Sequence, residues 1–235
     1  MEADKQKSDL QKIRYLIWLN TRQADPRPQI SSQRCVSQGR GCLFSGATFR
    51  GTQKSGRMSY DVSVQIVNVD LAASHLCGYL NIRGLTDDWP ELTTYFDAEI
   101  IGQKYGFLTN KWGATEADDM KHWSRFTPFR PIRSTLTRPG LRFNHMNKPF
   151  IFMRWKERFL VPDHRVRDIS GASFAGFYYV CVELGDDANQ MPKQSLTSPA
   201  SPMMSGFYFH EHSEPYQQLT LRHVSESSTS SFELR

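Results

Sequence analysis

Long apolar runs are missing from this chain of 235 residues. Tyr15-Leu16-Ile17-Trp18-Leu19 is too short for a secretory signal core or a membrane-spanning helix. Cysteine is scarce: Cys35, Cys42, Cys77 and Cys181 match no zinc or redox spacing. A chain of this length does not depend on disulfides either, so reduced thiols are expected. No dense Lys/Arg block occurs, and 29 basic against 24 acidic residues leave a net charge of only +5. So mild an excess permits an acidic partner without demanding one, and no nucleic-acid partner is expected. These absences favour the cytoplasm, with the nucleus or a peripheral vesicle position also open. What is present is 39% hydrophobic and 12% aromatic residues, enough for one ordinary domain with a full core.

Residues 1 to about 40 read as an extension. Ser8 to Leu19 could form a short helix with Ser8 and Gln11 as a capping box, and Asp25-Pro26-Arg27-Pro28 ends it. From 41 to 224 the pattern is one of strands. Alternation is clean over Tyr60–Ile66, and His75–Ile82, Leu92–Ile101, Phe150–Val161, Ser173–Glu183, Gly206–His210 and Tyr216–Val224 also read as strands. Strands at this density indicate an all-β antiparallel barrel or sandwich. Thr115 and Asp118 open one helix, with Met120, Trp123 and Phe126 as a core-facing stripe. Residues 127 to 149, with four prolines, read as an irregular connection. Residues 185 to 205, rich in Pro, Ser and Gln, read as a disordered insertion between two strands of a hairpin. Residues 225 to 235 form a polar tail ending Phe232-Glu233-Leu234-Arg235, either frayed or a docking peptide.

One carboxylate breaks the strand pattern. Ile151, Met153, Trp155, Phe159 and Val161 share one parity of Phe150–Val161, and Glu157 lies among them. Side chains alternate faces along a strand, so Glu157 points with the apolar set. A buried carboxylate needs a partner or a proton. Lys156 and Arg158 point the other way. Three readings stand: a cation supplied by a ligand, an arginine from another strand, or a bulge that turns Glu157 to solvent.

Other motifs are weaker. Gly171-Ala172-Ser173-Phe174-Ala175-Gly176 has one residue too many for a nucleophile elbow, and a strand pattern rather than a helix follows it. His210-Glu211-His212 could place two imidazoles on one strand face, but no third metal ligand is evident. Gly51-Thr52-Gln53-Lys54-Ser55-Gly56 has phosphate-loop residues in the wrong order and reads as a turn. No cofactor is called for.

Several blocks together resemble the Vid24-type substrate receptors of the glucose-induced degradation (GID) ubiquitin ligase, the CTLH complex of animals. They are Phe44-Ser45-Gly46 with Phe49-Arg50-Gly51, Leu76-Cys77-Gly78-Tyr79-Leu80, and Gly84-Leu85-Thr86. The longest are Phe152-Met153-Arg154-Trp155-Lys156-Glu157 with Phe159-Leu160-Val161-Pro162-Asp163-His164, and Asp168 through Tyr179. The resemblance implies an eight-stranded antiparallel, lipocalin-like barrel with helical insertions and a deep channel. It implies no enzymatic activity, and binding of proteins that begin with proline, such as gluconeogenic enzymes, for ubiquitination.

Matched residue by residue, the resemblance puts the amine-binding carboxylate on Glu157. Its polar companions fall on Gln53, Ser173, Tyr178 and Tyr208. The channel wall falls on Leu80, Ile82, Leu85, Leu92, Leu160 and Phe174. Phe232, Leu234 and the terminal carboxylate of Arg235 would dock on the ligase scaffold subunit. The alternative is a lipocalin-like carrier of a small apolar ligand, which would need neither Glu157 nor the tail.

Overall fold

The computed structural model describes residues 39–136, 143–161, 163–166, 169, 172–184, 202–211, 213 and 216–224. The expected N-terminal helix, most of the 185–205 insertion and the tail lie outside the described residues. Eight strands form a closed barrel in which each pairs antiparallel with its chain neighbours, and the last closes on the first. They are β1 (Thr48–Ser55), β2 (Met58–Asp70), β3 (His75–Arg83), β4 (Glu91–Ile100), β5 (Phe150–Val161), β6 (Phe177–Glu183), β7 (Met203–Phe209) and β8 (Gln218–His223). The expected all-β barrel is therefore the fold. Closure removes the exposed edges that an open sheet would present.

The pleat sorts the residues. Val62, Val64 and Ile66 of β2 and Leu76 and Leu80 of β3 point inward, as do Phe96 and Ala98 of β4, and on the side away from Leu80 and Ile82 the interior is packed shut. A second apolar cluster lies outside the barrel. There Phe152, Tyr179, Cys181 and Phe207 are covered by the long β4–β5 connection. Its helix α1 (Glu116–Trp123) has Thr115 as N-cap, with the capping box to Asp118 formed in both directions. Trp123 is fully buried against this outer face, and its indole N–H donates to the Phe107 carbonyl at 2.9 Å.

Several expectations are corrected. Residues 127–149 are not wholly irregular: a 3-10 turn at Thr127–Phe129 leads into helix α2 (Arg130–Leu136). Pro131 is tolerated because a first-turn residue has no intrahelical acceptor for its N–H. Gly51–Ser55 belong to β1, and only Gly56 and Arg57 make the turn. β7 begins at Met203, so the end of the 185–205 range is strand. The stretch before β6 is a loop up to Gly176, because the Lys156 ammonium takes the carbonyls of Phe174, Ala175 and Gly176 at 3.3, 2.5 and 2.8 Å. Those carbonyls are not spent on a strand ladder.

The pleat of β5 also changes hand. Phe96 pairs with Glu157, but the preceding Tyr95 pairs with Phe159, so Arg158 is an extra residue in β5. The bulge lies just past Glu157 and does not turn it out. It sends Phe159 outward onto Tyr95, with stacked rings 5.1 Å apart, and brings Leu160 inward. Phe159 and Val161 therefore do not share the face of Glu157, whereas Leu160 does.

Candidate functional site

The other end of the barrel stays open around a cavity of about 380 Å³. The structure brings to it every polar residue singled out above: Gln53 of β1, Glu157 of β5, Tyr178 of β6, Tyr208 of β7, and Ser173 of the loop before β6. It brings the six apolar ones as well. Leu80 and Ile82 come from β3, Leu85 from the loop that follows, Leu92 from β4, Leu160 from β5, and Phe174 from beside Ser173. Beyond Glu157 the interior is filled by Trp155, whose ring stacks on Phe96 at 4.4 Å. The cavity is thus a channel with one closed end.

Glu157 is buried, 6% exposed, with its Oε1 accepting from the Thr94 hydroxyl at 2.6 Å. No Lys or Arg forms an ion pair with it among the described residues. Arg158 donates to Asp97 at 2.8 Å, and Lys156 is occupied by the carbonyls already described. Arg154 is itself buried outside the barrel wall, where Glu99 accepts from it at 3.2 Å and the Gly106 carbonyl at 2.8 Å. Burial therefore pushes the Glu157 carboxyl up to about 7, although the Thr94 bond and the Lys156 charge oppose this.

The tyrosines are fixed donors. Burial and the nearby Glu157 raise Tyr178 well above the ordinary phenol value, and burial raises Tyr208. Tyr178 donates to Gln53 Oε1 at 2.8 Å, and Gln53 Nε2 donates to Gln217 Oε1 at 3.1 Å. Among the described residues Tyr178 keeps its acceptor lone pairs, and Gln53 keeps one amide hydrogen. Tyr208 donates to the Ser173 carbonyl and accepts from the Gly176 amide, each at 2.9 Å. A Cβ at Gly176 would lie 2.6 Å from the Tyr208 ring and 2.2 Å from the Phe209 carbonyl, so glycine is required for this approach.

Thr94, Tyr60 and Gln217 also line the cavity and were not singled out. Thr94 was legible in part, as the polar residue between inward-facing Leu92 and Phe96. Gln217 gave no signal, because its partner Gln53 lies across the β8–β1 closure. Among the described residues the Ser173 hydroxyl accepts only from the nearby Ala175 amide, at 3.3 Å, and no histidine lines the cavity. β7 stops at Phe209, so His210 and Glu211 are not strand residues, and His212 lies outside the described residues. Among the described residues no cluster of His, Cys, Asp or Glu is placed to hold a metal ion.

The pattern of the family described as vacuolar import and degradation protein matches residues 42–224. The chain belongs to this family. The match covers the whole barrel, from the bridge before β1 to the end of β8. Three relatives of this chain carry names of their own. A mouse protein (Mus musculus) named glucose-induced degradation protein 4 homolog is 47% identical over 82% of this chain and 82% of its own. The GID complex substrate-recognition subunit 4 of Schizosaccharomyces pombe is 33% identical over 77% of this chain and 91% of its own. That of Saccharomyces cerevisiae is 31% identical over 79% of this chain but 64% of its own length, so part of that protein has no counterpart here. Family membership bears out the resemblance read from the Phe152–His164 and Asp168–Tyr179 blocks.

Proposed function

We propose that this protein is a non-catalytic substrate receptor of a GID/CTLH-type ubiquitin ligase, and that its channel binds the N-terminus of proteins beginning with proline. The observation that carries the reading is Glu157, a buried carboxylate at the closed end of an open channel with no ion-pair partner among the described residues. The names of the relatives support the receptor role. An N-terminal proline has a secondary ammonium with two N–H donors and a compact ring. One N–H fits Glu157, and the other fits the free lone pairs of Tyr178. A charged hydrogen bond contributes roughly 1.5–3 kcal/mol. Burying the ring against Leu80, Ile82 and Leu160 adds roughly 1–2 kcal/mol. Gln53 and Ser173 are placed to hold the following backbone, and ordering the flexible terminus opposes these gains. An internal residue has an uncharged amide and a chain on both sides, and a channel with one closed end cannot take it.

The reading is tested by titrating the protein with a Pro-initiated peptide and its N-acetylated form. The free amine is expected to bind, and acetylation to weaken binding at least about 100-fold, since the ammonium is lost while Glu157 stays buried. Equal binding of the two would favour an apolar-ligand carrier instead. Deleting Phe232 to Arg235, which lie outside the described residues, is expected to abolish co-purification with the ligase scaffold and leave peptide affinity unchanged. Scaffold association that survives the deletion would remove the docking role from the tail.

A further inference from the structure

The β7–β8 loop forms one wall of the channel mouth through Ser213 and Gln217. Tyr216, between them, has φ 71°, a left-handed conformation that an aromatic residue adopts only when its surroundings impose it. What imposes it lies on the helical connection. The Arg125 guanidinium carbon is 3.4 Å from the Tyr216 ring centroid, and Lys121 Nζ is 5.0 Å from it. Hydrogen bonds from Lys121 and then Arg125 hold the phenol below its ordinary pKa. Helix α1 is in turn seated on the barrel. His122 stacks on Tyr179 at 4.6 Å and meets Phe209 edge-on at 5.4 Å.

On the channel side of Tyr216, Gln217 accepts from Gln53 Nε2 through its side chain. Its backbone carbonyl accepts from the Tyr208 amide at 3.0 Å. One aromatic ring therefore joins the helical layer outside the barrel to two residues inside the channel. Glu157 is gripped independently, by Thr94 of β4, and has no bond to the described residues of this loop.

We propose that Tyr216, clasped by Arg125 and Lys121, is a positioning residue that holds the mouth loop against the channel and so sets the grip on substrate residues beyond the first. The inference rests on reading the cavity as a peptide channel. It assigns the outer helix a role in substrate selection. The amine and first side chain are recognised by Glu157 and the apolar wall, and the next residues by a loop whose position the clasp determines.

Two measurements on the full chain separate the clasp from the channel reading. Hydrogen exchange of the ligand-free protein is expected to show the Tyr208 amide exchanging at least about tenfold faster in Tyr216→Ala and Arg125→Ala, with β2–β3 amides unchanged. Unchanged exchange would overturn the clasp. Pro-initiated peptides of two and six residues are then titrated. Both variants are expected to lose about tenfold on the longer peptide and to stay within about twofold on the shorter. Tyr216→Phe, which keeps the ring over Arg125, is expected to restore most of the loss. Equal losses on both peptides would overturn the role beyond the first residue. A wild-type protein that binds neither peptide would overturn the channel reading, while the exchange data still decide the clasp.

Discussion

Glu157→Gln is expected to weaken binding of a free Pro-initiated peptide by on the order of 10²- to 10³-fold, measured by calorimetry near pH 7.5. Removing one member of a buried charge pair costs about 3–5 kcal/mol, because the other charge stays desolvated without its partner, and each 1.4 kcal/mol is tenfold. Gln keeps the shape and can still accept from Thr94, so the barrel should persist. It should be more stable at neutral pH than the wild type. The folded protein keeps a proton on Glu157 up to about 7, whereas an unfolded chain releases it near 4.5. Between these values the folded state binds more protons, so wild-type stability falls as pH rises through that window and levels off above it. The gap corresponds to roughly 3 kcal/mol at 1.36 kcal/mol per pH unit. Denaturant melts at pH 5 and pH 8 should show this loss in the wild type and its absence in Glu157→Gln. Unchanged peptide affinity in the variant would remove Glu157 from amine recognition.

Affinity for the same peptide is expected to be highest between about pH 7 and 8 and roughly 100-fold lower at pH 5. Below about 7 the ligand-free site holds a proton on Glu157, which must leave before an ammonium can bind. At two units below the pKa that proton costs about a hundredfold. Above about 8 the peptide amine itself loses its charge. The other groups facing Glu157 do not reshape this profile. Tyr178 and Tyr208 are both pushed upward and stay neutral, and Lys156, whose pKa burial lowers, lies outside the wall on the loop carbonyls. Titrations from pH 5 to 9 would check the profile, with Glu157→Gln flat on the acid side. An acid limb that persists in the variant would assign the titration to another group.

The fold was legible because its signal is local. Alternation over β2, β3 and β4 and the Thr115–Asp118 box each depend on residues a few positions apart. Three of the misreadings come from contacts made at a distance. The stretch from Ser173 reads as the start of a strand, but Lys156 takes the carbonyls of Phe174, Ala175 and Gly176. The stretch from Tyr216 reads as the start of the last strand, but the ring is drawn onto Arg125 and the strand begins only at Gln218. The bulge at Arg158 is visible only in the pairing of β5 with β4, so the parity of Phe159 could not reveal it.

From the sequence alone came the all-β class, the family, and an unmatched Glu157 on an apolar strand face. Those follow from alternation and from residue blocks, which need no knowledge of the closed barrel. Only the tertiary structure removed two of the three readings of Glu157, the solvent-facing bulge and the arginine partner. The bulge falls one residue past it, no arginine reaches it among the described residues, and Thr94 from β4 is its hydrogen-bond donor. The charge state of a buried group is set by what surrounds it in space. For Glu157 those neighbours come from β4, β6 and β7, and closure of the barrel assembles them.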